Sequence, residues 1–416
     1  MKRTLCFVLF LDNSIEKGIS HSEEKSLAGF IAQNRCVLIS EYKNQIESRY
    51  PEIICCIPWK FNLPTPELQR WLLIEHDVRM EETVYVSDDS TFIGNALGSL
   101  SKTVFIGSMD MSSCYGRVPD LTCKSIESFI NAINSGHYLF LGEGIVATPK
   151  SDSVTGGFGL ASKDCSGRRV DVVFLGRYYG TDHFRSALDL YSLALRLNKN
   201  QKSKLYRKFD GLFQRIFLGG VRLMLKLKMC DSLCAVPDNR TDGLSGGRFV
   251  EMVEEIASCG LGLENLQPHV HRKRSKHQSQ KTIDTALARQ SNIKGSFCCD
   301  SSLRGKNIVV LDDILTTGAT LKEFASTLFE AGAESVSCVV LAVNQFAEEY
   351  WYQSHELKEF VDNNKLRINS KTLEPFFSRD GKSFDFISSI ENLFGKLNQE
   401  IGEERQECFA SDDFTF

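Results

Sequence analysis

Asn307-Ile308-Val309-Val310-Leu311-Asp312-Asp313-Ile314-Leu315-Thr316-Thr317-Gly318-Ala319-Thr320 is the stretch that decides how the C-terminal half of the chain folds. Asn307–Leu311 is a β-branched and aliphatic run, the pattern of a strand buried on both faces. It ends in the acid pair Asp312-Asp313. A helix is predicted after the threonine-rich loop, with Leu321, Phe324, Ala325, Leu328 and Phe329 on one face. Gly332 stops that helix, and Ser335–Val343 reads as the next strand. The unit is βαβ, and its loop lies at the carboxyl end of a parallel strand, where open α/β sheets bind ligands.

The residue types in that loop select a chemistry. Small hydroxyl residues and a glycine, at a turn leading into a helix, offer backbone N–H groups to an anion at the positive end of the helix dipole. Two adjacent carboxylates would repel a phosphate but accept hydrogen bonds from a vicinal diol. A phosphate at one end and a diol beside it describe a ribose 5-phosphate. The plainer reading is a strand-turn-helix whose acids and threonines cap the helix.

The segment Leu311–Thr320 resembles the signature by which type I phosphoribosyltransferases bind phosphoribosyl pyrophosphate (PRPP). The resemblance implies that Asp312 and Asp313 hold the ribose hydroxyls, and that Thr316, Thr317, Gly318, Ala319 and Thr320 cradle the 5-phosphate. Upstream, Ala235-Val236-Pro237 and Gly246-Gly247-Arg248-Phe249 are similar to the pyrophosphate-loop region of the ComF-type branch, which is linked to DNA uptake. So is the run from Arg274 through Gln280 to Arg289, Asn292 and Gly295-Ser296-Phe297. Between them Asp238-Asn239-Arg240, the expected pyrophosphate loop, is less basic than is usual in that branch.

His269-Val270-His271-Arg272-Lys273-Arg274-Ser275-Lys276-His277 admits three readings. It is a loop bringing cations over a departing pyrophosphate, a solvated surface, or a nucleic-acid contact. The first is favoured, with Lys276, Lys281 or Arg289 as the cation. The last is least favoured, since no stacking aromatics lie nearby.

The N-terminal part alternates strand-like and helix-like runs. Strands are predicted at Leu5–Leu11, Cys36–Ile39, Ile53–Ile57, Thr83–Val86 and Thr103–Ile106, with amphipathic stretches such as Pro66–His76 between them. That rhythm predicts a doubly wound parallel sheet. Asp12, Ser40, Lys60 and Asp88-Asp89 then fall at the carboxyl ends of four strands. Acids that bind Mg²⁺, with a serine and a lysine that neutralise phosphate, suit a phosphoryl site; unrelated loop residues are the plainer reading. The spacing resembles that of the haloacid-dehalogenase-like (HAD) hydrolases, most recognisably over Glu82–Asp89, Ile93, Ala96 and Thr103–Ile106. That resemblance implies Asp12 as nucleophile and metal ligand, Ser40 and Lys60 as phosphate holders, and Asp88 or Asp89 as the completing metal ligand. Ser14 stands where the family's phosphatases carry an aspartate general acid, which implies impaired hydrolysis.

The 416 residues are expected as an HAD-like domain (1–135), a linker (136–168) containing the Gly- and Ser-rich Thr148–Gly167, a phosphoribosyltransferase domain (169–350) and a C-terminal extension (351–416). The fold class is α/β, with two doubly wound parallel-sheet domains. A formal charge of −4 gives no global pull toward nucleic acid or acidic membranes. The 14 cysteines contain no Cys-x-x-Cys pair, which fits free thiols in a reducing cytoplasm rather than a zinc site. The apolar run after Met1 is too short for a signal peptide, and no stretch is long enough for a membrane helix. Expected partners are PRPP and an unidentified acceptor, with Mg²⁺ as cofactor; the chain is also compatible with a homo-oligomer or an operon-encoded protein partner. The predicted reaction is displacement of pyrophosphate from C1 of PRPP. The rival is a PRPP- or nucleotide-sensing regulator or effector without turnover, in a stress or phage-defence system.

Overall fold

A computed structural model describes residues 5–50, 53–56, 61, 63–107, 116–135, 140–147, 157–200, 202–237, 249–273, 293–300, 302–346, 351 and 354–366. The aliphatic runs of the N-terminal part form β1 (Cys6–Phe10), β2 (Arg35–Ile39), β3 (Ile54–Cys56), β4 (Thr83–Ser87) and β5 (Lys102–Ile106). A short β6 (Leu121–Cys123) follows. All neighbours pair parallel, in the order β3-β2-β1-β4-β5-β6. The order reverses between β1 and β4, which opens a crevice at their carboxyl ends. Helices α1 (Asp12–Lys17), α2 (His21–Gln33), α3 (Lys43–Arg49), α4 (Pro66–His76), α5 (Ser90–Ala96) and α6 (Ile126–Ser135) connect the strands.

Successive side chains of a strand go to opposite faces. Phe7 and Leu9 therefore pack with Phe30 and Phe129 on one side, and Val8 with Tyr85 and Phe92 on the other. Both faces are covered, so these strands are continuously apolar. Helix starts follow local chemistry. Ser20 and Glu23 form a reciprocal capping box on α2, and Thr65 caps α4 ahead of Pro66.

The second sheet has the order β11-β10-β14-β15-β8-β7, with β9 on β15. Its strands are β7 (Gly159–Cys165), β8 (Arg168–Phe174), β9 (Arg177–Tyr179), β10 (Ser232–Ala235), β11 (Glu264–Asn265), β14 (Asn307–Leu315) and β15 (Ser335–Gln345). A separate antiparallel pair joins β12 (Val270–Arg272) to β13 (Phe297–Cys299). The helices are α7 (Leu141–Ala147), α8 (Leu190–Lys199), α9 (Asp210–Leu227), α10 (Val250–Ser258), α11 (Ala319–Glu330) and α12 (His355–Asn364).

Two expectations need correction. The decisive strand does not stop at Leu311: β14 runs through Asp312 and Asp313 to Leu315, because β15 is long enough to pair with it as far as Val343. The interval 136–168 is not only a linker. It supplies α7 and β7, and β7 closes a hairpin on β8 through Ser166 and Gly167, both at positive φ. Cys6 and Cys36 are buried free thiols, and burial pushes them up to about 11 and about 12. No helix among the described residues is long and apolar enough to cross a membrane.

A buried charge network joins the two sheets. Arg177 of β9 donates to Glu143 of α7 (Nε–Oε1 2.9 Å) and to Asp120, just before β6 (Nη2–Oδ1 2.9 Å). Asp120 also accepts from the Thr103 backbone at 2.8 Å and meets Lys102 at 3.3 Å. Arg185 donates to the Ser99 carbonyl at 2.9 Å and to that of Ser101. Burial alone would raise the Asp120 carboxyl, but Arg177, Lys102 and Arg185 hold it well below the usual carboxylate range. Asp120→Ala would leave buried guanidinium charge undercompensated and is expected to cost about 3 kcal/mol. Urea unfolding at neutral pH checks this; a loss below about 1 kcal/mol would contradict it.

Candidate functional site

The carboxyl end of β14 gathers the acid pair and the threonine loop. Asp312 Oδ1 accepts from the Asp313 N–H at 2.9 Å, and Asp313 Oδ1 from the Ile314 N–H at 2.7 Å. Both side chains are half-buried. Lys199, at the end of α8, reaches Asp313 Oδ2 with its Nζ at 2.6 Å. The chain turns at Gly318, whose φ of 74° favours glycine, and α11 starts at Ala319. Thr317 Oγ1 accepts from the Ala319 N–H at 3.4 Å. Thr316 is exposed, Thr317 and Thr320 are half-buried, and Gly318 and Ala319 are buried. The first-turn N–H groups of a helix lack intrahelical carbonyl partners, so this corner has the chemistry of an anion cradle beside two diol acceptors.

Three neighbours of this corner escaped the sequence reading. Lys163 of β7 lies over the turn: a Cβ added at Gly318 would come within 3.0 Å of its Cε. Burial, with Lys322 close by, pushes the Lys163 ammonium down to about 8. Lys199 and Tyr178 are the other two. Burial raises the Tyr178 phenol, with Arg196 opposing and Asp313 and Asp182 adding to the rise. The expected cations Lys276, Lys281 and Arg289, and the expected pyrophosphate loop Asp238, Asn239 and Arg240, lie outside the described residues. Of the basic run, His271 Nε2 meets Asp300 Oδ2 at 2.8 Å, and Arg272 stacks on the Phe297 ring at 5.2 Å.

In the first sheet, Asp12 begins α1 directly after β1. Its Oδ1 accepts from Ser40 Oγ at 2.5 Å and its Oδ2 from the Glu41 N–H at 3.1 Å. The Ser14 backbone N–H and hydroxyl both donate to Asp88 Oδ2 at 2.5 Å. Asp12 thus holds Ser40 and the Glu41 N–H, while Asp88, directly after the neighbouring β4, is held by Ser14 of α1. Asp89 is differently engaged: its Oδ1 caps α5, accepting from Thr91 and Phe92 N–H at 2.7 and 3.1 Å. Lys60 lies outside the described residues. Among the described residues no three or more His, Cys, Asp or Glu side chains gather as a metal-ligand cluster.

Residues 265–371 match the family described as phosphoribosyl transferase domain, a span that contains the acid pair and the threonine loop. Transcriptional regulator GfcR 2 of Methanosarcina barkeri is 32% identical over 95 residues, covering 23% of this chain and 46% of that protein. DNA utilization protein YhgH of Escherichia coli K12 is 36% identical over 52 residues, 12% of this chain and 23% of that protein. The chain therefore spans less than half the length of these curated relatives. A solved structure of Leishmania donovani UMP synthase aligns over 90% of this chain and 79% of its own, at 12% identity and a TM-score of 0.22. A superposition of that quality does not establish a shared fold.

Lys163 provides a test of the described geometry. Its pKa is about 8 in the folded chain, against about 10.4 in an unfolded one. Between those values the unfolded chain binds more protons, so wild-type stability rises with pH across the window. Below it the buried charge is a constant cost. Lys163→Met is therefore expected to melt above wild type near pH 7, with the gap shrinking as pH rises toward 10. A gap independent of pH in thermal melts would contradict the burial of this ammonium.

Proposed function

We propose that the chain is a phosphoribosyltransferase that binds PRPP across the carboxyl edge of the second sheet. The observation that carries this is the juxtaposition of the Asp312-Asp313 pair with the Gly318 turn, inside the segment that matches the phosphoribosyl transferase domain. In this reading the diol of the ribose donates to Asp312 and Asp313, and the 5-phosphate sits on the Thr316–Thr320 turn near Lys163. An acceptor nitrogen attacks C1 as the C1–O bond to pyrophosphate breaks. The electron pair leaves with the pyrophosphate, and the acceptor loses its proton to solvent. Oxygen donors of the acid pair, together with the phosphates of PRPP, suit Mg²⁺, which prefers one or two carboxylates plus substrate phosphates. The metal would supply charge neutralisation for the leaving group. Fixing the diol and phosphate at two separate points orients C1.

The first sheet is read as an HAD-like domain with impaired hydrolysis. Asp12, Ser40 and Asp88 support phosphoryl binding, and the Ser14 hydroxyl on Asp88 supports the impairment, because a serine cannot act as the general acid at neutral pH. A second reading is a regulator that binds PRPP without turnover; the match to a protein named as a transcriptional regulator favours it. The partial match to a DNA utilization protein is compatible with the ComF-type branch.

Asp312→Asn with Asp313→Asn is expected to weaken PRPP binding by at least about 2 kcal/mol, as charge-assisted hydrogen bonds to the diol are lost. Calorimetry on the folded double variant checks this, and unchanged affinity would sink the assignment. Wild-type protein that binds PRPP yet releases no pyrophosphate with any acceptor would select the regulator. For the first domain, aryl phosphates with good leaving groups should be hydrolysed roughly 10²-fold faster than alkyl phosphates, since only the latter need the missing proton donor. Equal rates on both would show that another residue supplies it.

A further inference from the structure

Independently of the transferase reading, we propose that the α8–α9 connection and the outer side of α9 bind the phosphodiester backbone of a nucleic acid. The stretch from Lys199 to Lys228 carries nine Lys and Arg against one acid, Asp210, in a chain whose net charge is −4. That acid is engaged locally: Asp210 accepts from Asn198 Nδ2 and from Arg207 Nε, each at 2.7 Å. Other acids reach this surface from α10 and β8, where Glu251 meets Arg207 at 2.9 Å, Glu255 meets Gln214, and Asp171 meets Lys228. Lys199 is held by Asp313. Lys202, Lys204 and Lys208 stand exposed among these contacts. Their turn is a built one. The side chain of buried Asn198 accepts from the Phe209 N–H at 2.8 Å, and its carbonyl accepts from the Arg207 N–H at 3.2 Å.

The helix that follows continues the same charge. α9 buries Phe213, Ile216, Phe217, Val221, Leu223 and Met224. Arg215, Leu218, Arg222 and Lys226, at offsets of three or four, therefore share its outer side, and all are exposed or half-buried. A rise of 1.5 Å per residue sets the three cations roughly 10 and 6 Å apart on a helix about 27 Å long. Cations in a row with no acid between them neutralise phosphates in series, a contact to the backbone without sequence readout. A helix lying in a membrane surface turns its apolar residues outward, whereas those of α9 fill the core against the second sheet. A protein interface is apolar or aromatic at its centre, and Leu218 is the one apolar member of this row.

The test is fluorescence anisotropy of the full chain with labelled, mixed-sequence oligonucleotides, single-stranded in one arm and duplex in the other. Binding of at least one form is expected, weakening by at least about 10-fold between about 50 and 200 mM salt. Lys202→Gln with Lys204→Gln and Lys208→Gln should lower affinity about 10-fold at the low-salt end. The slope of log affinity against log salt should become shallower by about 2, as three phosphate contacts imply. Should the triple variant not fold, Lys204→Gln alone should reduce the slope by about 0.7 to 0.9, and an unchanged slope overturns the proposal. No binding of either form at about 50 mM salt, or binding that the triple variant leaves intact, would also overturn it. So would displacement by excess ribose 5-phosphate, which would place the oligonucleotide on the Gly318 turn instead. Equally tight capture of polyglutamate or of phosphatidylglycerol vesicles would assign the surface to another polyanion and overturn the proposal as well.

Discussion

The burial of β14 on both faces constrains everything around the candidate site. Ile308, Val309, Val310 and Leu311 are fully enclosed between two hydrophobic cores, so no polar side chain is tolerated before the strand leaves them. The first residues free to be polar are Asp312 and Asp313. Because β15 continues alongside, the acids are held on an extended, hydrogen-bonded backbone rather than on a loop. The turn at Gly318 then sends α11 back across the sheet, where Leu321, Phe324, Ala325 and Leu328 rejoin the core. Acid pair, turn and helix start are thus fixed relative to one another by apolar packing several residues away. A rigid element is a better platform for a ligand site than a loop, since small displacements carry large penalties.

Much of this was legible in the sequence, for a physical reason. Strands covered on both faces have to be continuous aliphatic runs, and five such runs in the N-terminal part became β1 to β5 within a residue or two at each end. The βαβ unit around β14 was readable on the same ground. Elements without that pattern were missed. β6 has three residues and a single buried side chain, Cys123. β7 is an edge strand whose buried positions are only Ala161 and Cys165, so Gly159–Cys165 carries a mixed, half-polar sequence. The end of β14 was misplaced because strand length is set by the partner, and the pairing of Leu315 with Val343 is invisible in either segment alone.

The candidate site was legible where its residues are sequential and opaque where they are not. Asp312 to Thr320 form one contiguous segment. Lys163, Tyr178 and Lys199 come from three other elements, and each looks locally like an ordinary polar position on an amphipathic helix or strand. A cation on a helix face is usually solvated; only the fold shows that Lys199 meets a carboxylate of β14. Asp89 illustrates the converse. Its place beside Asp88 suggested a ligand, yet the helix behind it needed a cap, and a carboxylate two or three residues before exposed N–H groups supplies one.

The three residues of β9 tie these observations together. Alternate side chains of a strand face opposite ways. Arg177 enters the buried network with Asp120 and Glu143, and Tyr178 lies by Arg196 and Asp313. β9 is short, and its strand pairing among the described residues is with the end of β15 alone. Three backbone pairings on one edge hold such a segment weakly. Its position is therefore supported by Arg177, whose partner Asp120 directly precedes β6 of the first sheet. The Arg185 contacts to Ser99 and Ser101 brace the next turn of chain in the same way. The wall beside the acid pair is consequently built against the first sheet, not merely near it. A buried, multiply hydrogen-bonded ion network is a costly way to join two units that need only be tethered. Its presence makes geometric sense if the N-terminal sheet serves as the backing that keeps Tyr178 and the end of α8 in register with β14, independently of any chemistry at Asp12.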